Sequence, residues 1–337
     1  MATSVTRMTI LASRRPAGTP AMPPAPGTAA AISVCMMTTT SSATKTTTVT
    51  VLEDRYALGA LLGAGSMGEV YKAFDTVLGI DVAVKLMHPE HVSSHTRVAR
   101  FTHEASVGAR MLSPHIAKVL GLAVTASGIP CIVYELLEGE TLSARIAAAG
   151  GTLSIEETSE IVKQTARALA RIHALGVVHR DVKPDNIFLT RDLGGRLLVK
   201  LLDLGIAEKM TVGATAQLVG TPEYMAPEVV FGSAPLDVRA DIYSLGVVAF
   251  ECLTGSTPFS GSVDEIFKAL RIGDRPSLLE FVPEMSREID AWVDCALHAD
   301  PYWRFSSVKE MMTGLEGALA AAKRTTSGER VSIRQAA

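Results

Sequence analysis

The sequence has few cysteines, few aromatic residues and no long uninterrupted apolar run. Its 337 residues include 4 cysteines, and aromatic residues make up 5% of the chain. The cysteines have no paired spacing, which argues against a disulfide framework or a zinc site and favours buried thiols in a reducing compartment. The most apolar stretch, residues 242–253, is interrupted by Ser244 and Glu251. It is shorter than the roughly 20 residues that cross a bilayer as a helix, so we expect no membrane insertion.

The chain also lacks a strong excess of charge of either sign. The formal net charge is -3, with 47% hydrophobic and 20% charged residues. This balance gives no reason to expect nucleic acid or an anionic membrane as a partner. The length and the apolar content allow either one large folded domain or two smaller ones, each with a buried core.

Acidic residues are missing from the first 50 residues, which are rich in Thr, Ala, Pro and Ser. No period of 2 or 3.6 is visible there, and such a segment buries too little apolar surface to offset its ordering entropy. We therefore expect residues 1–53 to form a disordered, low-complexity extension. A signal or transit peptide is an alternative, but the apolar residues 8–12 are few and Arg14 and Arg15 follow them. A start codon assigned too early is another.

A polar run at residues 179–186 lies between two apolar stretches and marks a loop. The stretch before it has helical spacing over residues 155–172. Ser154 and Glu157 are placed as a capping box at its start, and Gly176 marks its end. A helix is therefore predicted to lead into the loop.

Two short apolar runs, residues 187–190 and 197–202, follow the loop and flank Gly194 and Gly195. This pattern predicts a β-hairpin that ends at Asp203. A loop with Asp, Lys and Asn at fixed offsets, followed by that Asp, provides a base, a cation and two metal ligands. The chemistry that this set favours is phosphoryl transfer.

A Gly-x-Gly-x-x-Gly motif opens at Gly63, and a strand-like run ending at Lys85 follows it. The motif alone also occurs at the start of dinucleotide-binding folds. Here residues 70–73 continue as a strand and no helix-forming segment follows the third glycine. The pattern therefore favours a hairpin that covers phosphates over a phosphate bound at a helix N-terminus.

The remaining apolar segments predict helices at six further places. The segment around residues 262–270 carries its own capping box, Ser262 with Glu265. The predicted helices lie near residues 98–111, from about Leu142, and at 241–253, 286–297 and 306–321.

The run from His179 to Asn186, with Asp203, Leu204 and Gly205 downstream, resembles the catalytic and magnesium loops of protein kinases. The resemblance is strongest to bacterial, eukaryotic-type Ser/Thr protein kinases. It implies an α+β, bilobal fold with a small β-rich N-lobe carrying one main helix and a larger, mostly helical C-lobe. The implied boundaries are a kinase domain at 54–322, an N-lobe at 54–135, a C-lobe at 136–322 and a short polar tail at 323–337.

The resemblance also implies a role for each motif residue. The implied ATP-binding residues are Gly63, Gly65, Gly68, Val70, Ala83, Lys85, Glu135 and Leu137, with Tyr134 at the gatekeeper position. The implied catalytic residues are Asp181 as base, Lys183 as the cation on the transferring phosphoryl group, and Lys85 held by Glu104. The implied ligands of Mg²⁺, or of Mn²⁺ in its place, are Asn186 and Asp203.

The same resemblance predicts the substrates. Lys183 together with Thr221 follows the Ser/Thr pattern and not the tyrosine-kinase pattern, so we expect protein Ser/Thr hydroxyls as acceptors. The activation segment is the stretch that follows Asp203 and ends near Glu228. Arg180 can bind a phosphate on this segment, which makes Thr215, and after it Thr211, autophosphorylation candidates. Phosphorylation between two copies needs a transient homodimer. The lack of a membrane helix implies a cytoplasmic enzyme.

Further residues are predicted to act structurally. Glu228 and Arg304 resemble the buried ion pair at the end of the activation segment, and Asp241 is expected to hold the catalytic loop backbone. Leu204 replaces the usual Phe of the magnesium motif. Gly108 lies one turn after Glu104, and glycine weakens a helix interior by about 1 kcal/mol, so the helix position is expected to depend on a partner or on phosphorylation.

Three other interpretations stay open at this point. A pseudokinase or scaffold would bind nucleotide and partners without turnover, although every expected catalytic residue is present. A small-molecule kinase is disfavoured by residues 220–224 and 226–228, which in the family shape a peptide-docking surface. A metal site at His88, His91, His95 and His103 is disfavoured because no acidic or thiol partner accompanies them.

Overall fold

The structure, a computed structural model, describes residues 51–52, 54–203, 221–273 and 275–335. Its strands are β1 Val51–Leu52, β2 Tyr56–Ala64, β3 Gly68–Asp75, β4 Ile80–Met87, β5 Val119–Val124, β6 Pro130–Glu135, β7 Glu140–Thr141, β8 Ile187–Arg191 and β9 Leu197–Leu201. The larger sheet is antiparallel with the order β1-β2-β3-β4-β6-β5, and the smaller sheet has the order β7-β8-β9. The predicted hairpin after the polar loop is therefore present as β8 and β9.

The helices are distributed unevenly between the two parts of the fold. They are α1 His95–Gly108, α2 Leu142–Ala148, α3 Ile155–His173, α4 Pro227–Phe231, α5 Arg239–Thr254, α6 Val263–Ile272, α7 Leu278–Phe281, α8 Arg287–Ala296 and α9 Val308–Gln335. Helix α1 lies between β4 and β5, and the others follow β6. The predicted bilobal α+β fold, with one main helix in the small lobe, is confirmed.

The small lobe buries both faces of its sheet because successive residues of a strand point to opposite faces. On β6, Val133 packs into one apolar cluster with Tyr56 and Val84. Its neighbour Ile132 packs into a second cluster with Phe101 of α1. Helix α1 is therefore held against β5 and β6 mainly by apolar contact.

The large lobe is built around α5, whose residues are buried along nearly its whole length. Helices α3, α7 and α8 pack against it, and α9 packs against α3 and α8. The predicted capping box at Ser262 and Glu265 is present at the start of α6. The capping box predicted for α3 is only half formed. Ser154 accepts from the Glu157 backbone, but the Glu157 carboxylate pairs with Arg145 at 2.7 Å.

Two helix predictions were wrong in their extent. The last helix was predicted to end at residue 321, but α9 continues through the polar residues that follow, to Gln335. Gly108 was placed in a helix interior, but it is the last residue of α1, where the chain leaves the helix. Because no further helical turn follows Gly108, the destabilisation expected for a glycine in a helix interior does not apply in full.

Cys131 and Cys252 are buried as predicted, while Cys295 is half-buried. Cys35 lies outside the described residues. Among the described helices, none combines the length and the apolar character that crossing a membrane requires.

Candidate active site

The glycine-rich loop connects β2 and β3. The Gly65 N–H donates to the Gly68 carbonyl at 2.9 Å and closes the turn. A Cβ on Gly68 would lie 1.9 Å from the Leu86 carbonyl of β4, so only glycine fits there. A Cβ on Gly63 would meet no atom within 4 Å, so its missing side chain serves no internal packing. The loop continues into β3 and not into a helix, as the sequence predicted.

A cavity of about 270 Å³ lies between the two sheets. Its lining contains the predicted residues Gly63, Val70, Ala83, Tyr134, Glu135, Leu137 and Asp203. It also contains Leu136, which lies between the predicted residues Glu135 and Leu137, and residues that the sequence did not single out, namely Leu62, Ala117, Thr141, Phe188 and Leu202. The volume is close to the lower end, roughly 300 Å³, of small-ligand pockets, and the lining is mostly apolar, which suits a flat heteroaromatic ring.

The segment that joins the lobes is braced through Glu135. Its carboxylate accepts from Lys200 Nζ of β9 at 2.6 Å and from the Lys118 N–H at 2.8 Å. Its own N–H donates to the Lys118 carbonyl at 3.0 Å. Nearby, the Ala117 N–H donates to the Leu201 carbonyl of β9 at 3.0 Å. The end of β6 is therefore tied to the large lobe by side chain and backbone alike.

Lys85 of β4 and Glu104 of α1 form the predicted ion pair at 3.3 Å. Lys85 Nζ also lies 3.0 Å from Asp203 Oδ1 at the end of β9. Burial acts to lower the pKa of Lys85, but the charges of Asp203 and Glu104 outweigh it and hold that pKa above its ordinary value. The lysine is therefore a permanent cation beside Asp203, which lines the cavity.

Glu104 is buried and has a second partner in Tyr134, whose hydroxyl donates to Oε1 at 3.3 Å. Burial raises the pKa of Glu104 to about 7, with Lys85 opposing that shift. Burial also raises the pKa of the Tyr134 phenol, as do the neighbouring charges of Asp203 and Glu104, so the phenol stays protonated and remains a donor. The residue at the predicted gatekeeper position thus contacts the ion pair directly.

The loop after α3 brings Asp181, Lys183 and Asn186 into one network. Lys183 Nζ donates to Asp181 Oδ1 at 2.9 Å and to Thr221 Oγ1 at 3.3 Å. Asn186 Nδ2 donates to Asp181 Oδ2 at 2.7 Å and to the Asp181 carbonyl at 2.8 Å. The Asp181 carboxylate is therefore held on both oxygens, beside a cation and a threonine of the segment that follows.

Asp241 of α5 fixes the backbone of this loop. It is fully buried and accepts from the N–H groups of His179 and Arg180, both at 2.8 Å. His173 Nε2 lies 2.7 Å from the same carboxylate, a contact that the sequence did not predict. Arg180 has a φ of 72°, a strained conformation for a residue with a side chain, and the two bonds to Asp241 hold its peptide there.

Asn186 and Asp203, the predicted metal ligands, offer oxygen atoms of the type that Mg²⁺ prefers. The amide nitrogen of Asn186 is used on Asp181, which leaves Oδ1 as its acceptor atom. The Asp203 side chain is 42% exposed, and its backbone φ of 35° turns it away from the strand direction of β9. The donor chemistry of the two residues therefore fits a hard divalent cation.

Glu228 and Arg304 form the predicted ion pair in bidentate geometry, with N–O distances of 2.7 and 2.8 Å. Both residues are buried, and Arg304 also donates to the carbonyls of His298 and Ala299. The pair links α4 to the turn before α9. The pair therefore fixes the position of the chain segment that follows Thr221.

Leu204, Thr211 and Thr215 lie outside the described residues. In the described part of the chain, no group of three or more His, Cys, Asp or Glu side chains is arranged to hold a metal ion.

The fold and these residues together define a class of protein. A family model described as "Protein kinase domain" matches residues 56–314, and the chain belongs to this family.

Two similar proteins come from bacteria. A probable serine/threonine-protein kinase SCO3848 of Streptomyces coelicolor is 38% identical over 277 residues, which cover 80% of this chain and 40% of that protein. The serine/threonine-protein kinase PknB of Mycolicibacterium smegmatis is 36% identical over 297 residues, covering 84% of this chain and 46% of its own length. The chain thus spans less than half the length of these relatives.

Solved structures agree with the family assignment. The PknI kinase domain of Mycobacterium tuberculosis matches with a TM-score of 0.64 at 28% identity, covering 80% of this chain and 97% of that one. The predicted resemblance to bacterial, eukaryotic-type Ser/Thr protein kinases is confirmed.

Proposed function

We propose that the chain transfers the γ-phosphoryl group of ATP to Ser and Thr hydroxyls of proteins. The observation that carries the proposal is the Asp181 network. A carboxylate held by Asn186 lies beside the Lys183 cation, which itself contacts Thr221. This set suits the activation of a hydroxyl next to a phosphoryl group, and the relatives named as serine/threonine-protein kinases support the acceptor class.

The cavity between the two sheets is the proposed nucleotide-binding site. Its apolar walls suit the adenine ring, with the Glu135 carbonyl and the Leu137 N–H as the edges that meet it. Lys85, permanently charged and 3.0 Å from Asp203, would grip the phosphates. Gly63 and Gly65 leave room for phosphate oxygens, because an added Cβ on either would have no neighbour closer than about 4.0 Å.

Asn186 and Asp203 would hold Mg²⁺, with Mn²⁺ as a substitute, and the bound cation supplies charge neutralisation for the phosphates. Every other step falls to side chains of this chain. Asp181 accepts the proton of the substrate hydroxyl through its carboxylate and orients the oxygen for attack. Lys183 stabilises charge on the transferring group, and Thr221 positions the substrate segment against Lys183.

Regulation is proposed through the activation segment. Arg180 lies in the catalytic loop with its backbone fixed by Asp241, so a phosphate near its guanidinium would join that segment to the catalytic loop. Thr215 and then Thr211 are the proposed acceptors, phosphorylated between two copies in a transient homodimer. A signalling role in the cytoplasm, with protein partners and neither nucleic acid nor membrane insertion, completes the proposal.

The test follows γ-labelled phosphate from ATP with Mg²⁺ into the chain and into a generic basic protein. Asp181→Asn is expected to lose at least about 10²-fold in rate while still binding ATP, since it removes only the base. Lys85→Met is expected to lose ATP binding as well. Asp185→Asn, an exposed carboxylate in the same loop, is the matched control and should remain active.

Mapping of the label by mass spectrometry tests the activation-segment proposal, with Thr215 and Thr211 as the expected sites. Equal label on the wild type and on Asp181→Asn would contradict the assignment of the base. ATP binding without transfer to the chain or to the generic protein would favour a scaffold instead of an enzyme.

A further inference from the structure

Two histidines of the segment between β4 and α1 contact the tip of the glycine-rich loop. His88 Nε2 lies 2.9 Å from the Gly65 carbonyl oxygen, and His91 Nε2 lies 2.9 Å from the Ser66 carbonyl oxygen. The His88 backbone N–H donates to the Met67 carbonyl at 3.1 Å. Three consecutive carbonyls of the loop therefore have partners on one segment. We call the two histidine contacts the histidine clamp.

The partners fix the proton positions in the clamp. A carbonyl oxygen only accepts, so Nε2 of His88 and of His91 must each carry a hydrogen for these contacts. Arg97 Nη1 lies 2.5 Å from His91 Nδ1 and 3.1 Å from His91 Nε2, and a guanidinium only donates. In this arrangement His91 Nδ1 is the acceptor for Arg97, and His91 Nε2 is the donor to the Ser66 carbonyl.

The clamp also fixes the direction of the loop amides. In a trans peptide the N–H points opposite to the carbonyl of the same unit, and all described peptides are trans. With the carbonyls of Gly65 and Ser66 turned toward the histidines, the N–H groups of Ser66 and Met67 point away from them. Consecutive N–H groups directed to one side form a concave anion site.

We propose that His88 and His91 are positioning residues of the nucleotide site, which keep the Ser66 and Met67 amides available to the phosphates of ATP. This inference rests on the proposed function, because it requires ATP in the cavity lined by Gly63. The histidines do not touch the nucleotide; they act through the loop backbone. Without them, the two carbonyls lose their donors and the loop amides lose their fixed direction.

The test measures dissociation constants of MgATP and of adenosine for the full chain, with thermal stability alongside. His88→Ala and His91→Ala are each expected to weaken MgATP by about threefold to tenfold, with a larger loss in the double variant. Adenosine, which has no phosphate, is expected to bind as it does to the wild type. His88→Gln and His91→Gln keep an N–H donor at similar reach and should restore MgATP binding. His103→Ala, an exposed histidine of α1, is the matched control.

Two results would overturn the clamp. One is an unchanged MgATP dissociation constant in the double alanine variant. The other is an equal loss of adenosine and MgATP with a lowered melting temperature, which is the signature of a purely structural role. Failure of the proposed function looks different, because the wild type would then either bind MgATP no better than the Lys85→Met variant does, or bind MgATP and transfer no phosphate.

Discussion

The two sides of the cleft are held in different ways. On the large-lobe side, the catalytic loop is bonded to Asp241, which is fully buried within α5, and the Glu228–Arg304 pair is buried nearby. On the small-lobe side, Lys85 and Glu104 meet at 3.3 Å across β4 and α1. Helix α1 rests on the sheet mainly through apolar contacts, which have no fixed direction.

Under the proposed function, this difference separates the residues that carry out phosphoryl transfer from the residues that hold the nucleotide. The geometry around Asp181 is part of the folded core of the large lobe and cannot be lost without disturbing that core. The position of Glu104 depends on where α1 lies, which is set mainly by the apolar packing of Phe101 and Ala105 against the sheet. Changes on the large-lobe side should therefore affect folding, and changes on the small-lobe side should affect nucleotide affinity.

The largest expected effect is that of Arg304→Met, which leaves Glu228 as a buried charge without its partner. We expect a loss of about 3 to 5 kcal/mol in the free energy of unfolding, measured by urea denaturation, with activity lost in step with folding. Arg196→Met breaks an exposed pair, in which the arginine side chain is 84% exposed, and should leave the free energy of unfolding close to that of the wild type. Equal effects of the two changes would contradict the comparison.

A second, smaller effect concerns pH. The pKa of Glu104 is raised by burial to about 7, so the carboxylate is ionised above that pH and neutral below it. The charge attraction to Lys85 is present at higher pH and is lost as the pH falls through about 7. We expect the KM for MgATP to rise between pH 8 and pH 6 in the wild type.

Glu104→Gln removes this titration, and its KM should be higher but flatter over the same pH range. Because protonation of the nucleotide is common to both chains, the difference between the two profiles isolates Glu104. Parallel profiles for the wild type and the variant would show that Glu104 does not titrate there.

The smallest effect is expected for Tyr134→Phe, which keeps the ring and removes the hydroxyl that donates to Glu104 at 3.3 Å. One neutral donor to a carboxyl group contributes about 1 kcal/mol, so the KM for MgATP should rise by about twofold to fivefold. The melting temperature should stay close to that of the wild type. A loss of stability as large as that of Arg304→Met would instead show that the Tyr134 hydroxyl is needed for folding.

Much of the fold could be predicted from the sequence because the capping and turn residues agreed with the resemblance to protein kinases. Capping residues marked the start of α6, Gly195 at a φ of 76° marked the turn between β8 and β9, and strand continuation after Gly68 excluded a helix. The contacts of Asp181, Lys183 and Asn186 follow from their spacing in one loop. The contacts of Lys85 with Glu104 and of Glu228 with Arg304 came from the resemblance alone.

What could not be predicted depends on contacts between segments far apart in the chain. Phe188 and Leu202 are apolar residues in an apolar hairpin, and only the packing of the two lobes shows that they face the cavity. His173 is one of many residues on α3 until α5 brings Asp241 to it. His88 and His91 lie in a polar segment of the sequence. Nothing in their spacing indicates that they contact the carbonyls of Gly65 and Ser66.

The brace at Glu135 has a mechanical consequence. Because its carboxylate is tied to Lys200 of β9, the end of β6 is expected to move with the large lobe and to act as a fixed pivot. A rotation about a pivot displaces points in proportion to their distance from it. The end of the cleft beside Glu135 should therefore keep its width when the lobes rotate, while the glycine-rich loop is displaced the most.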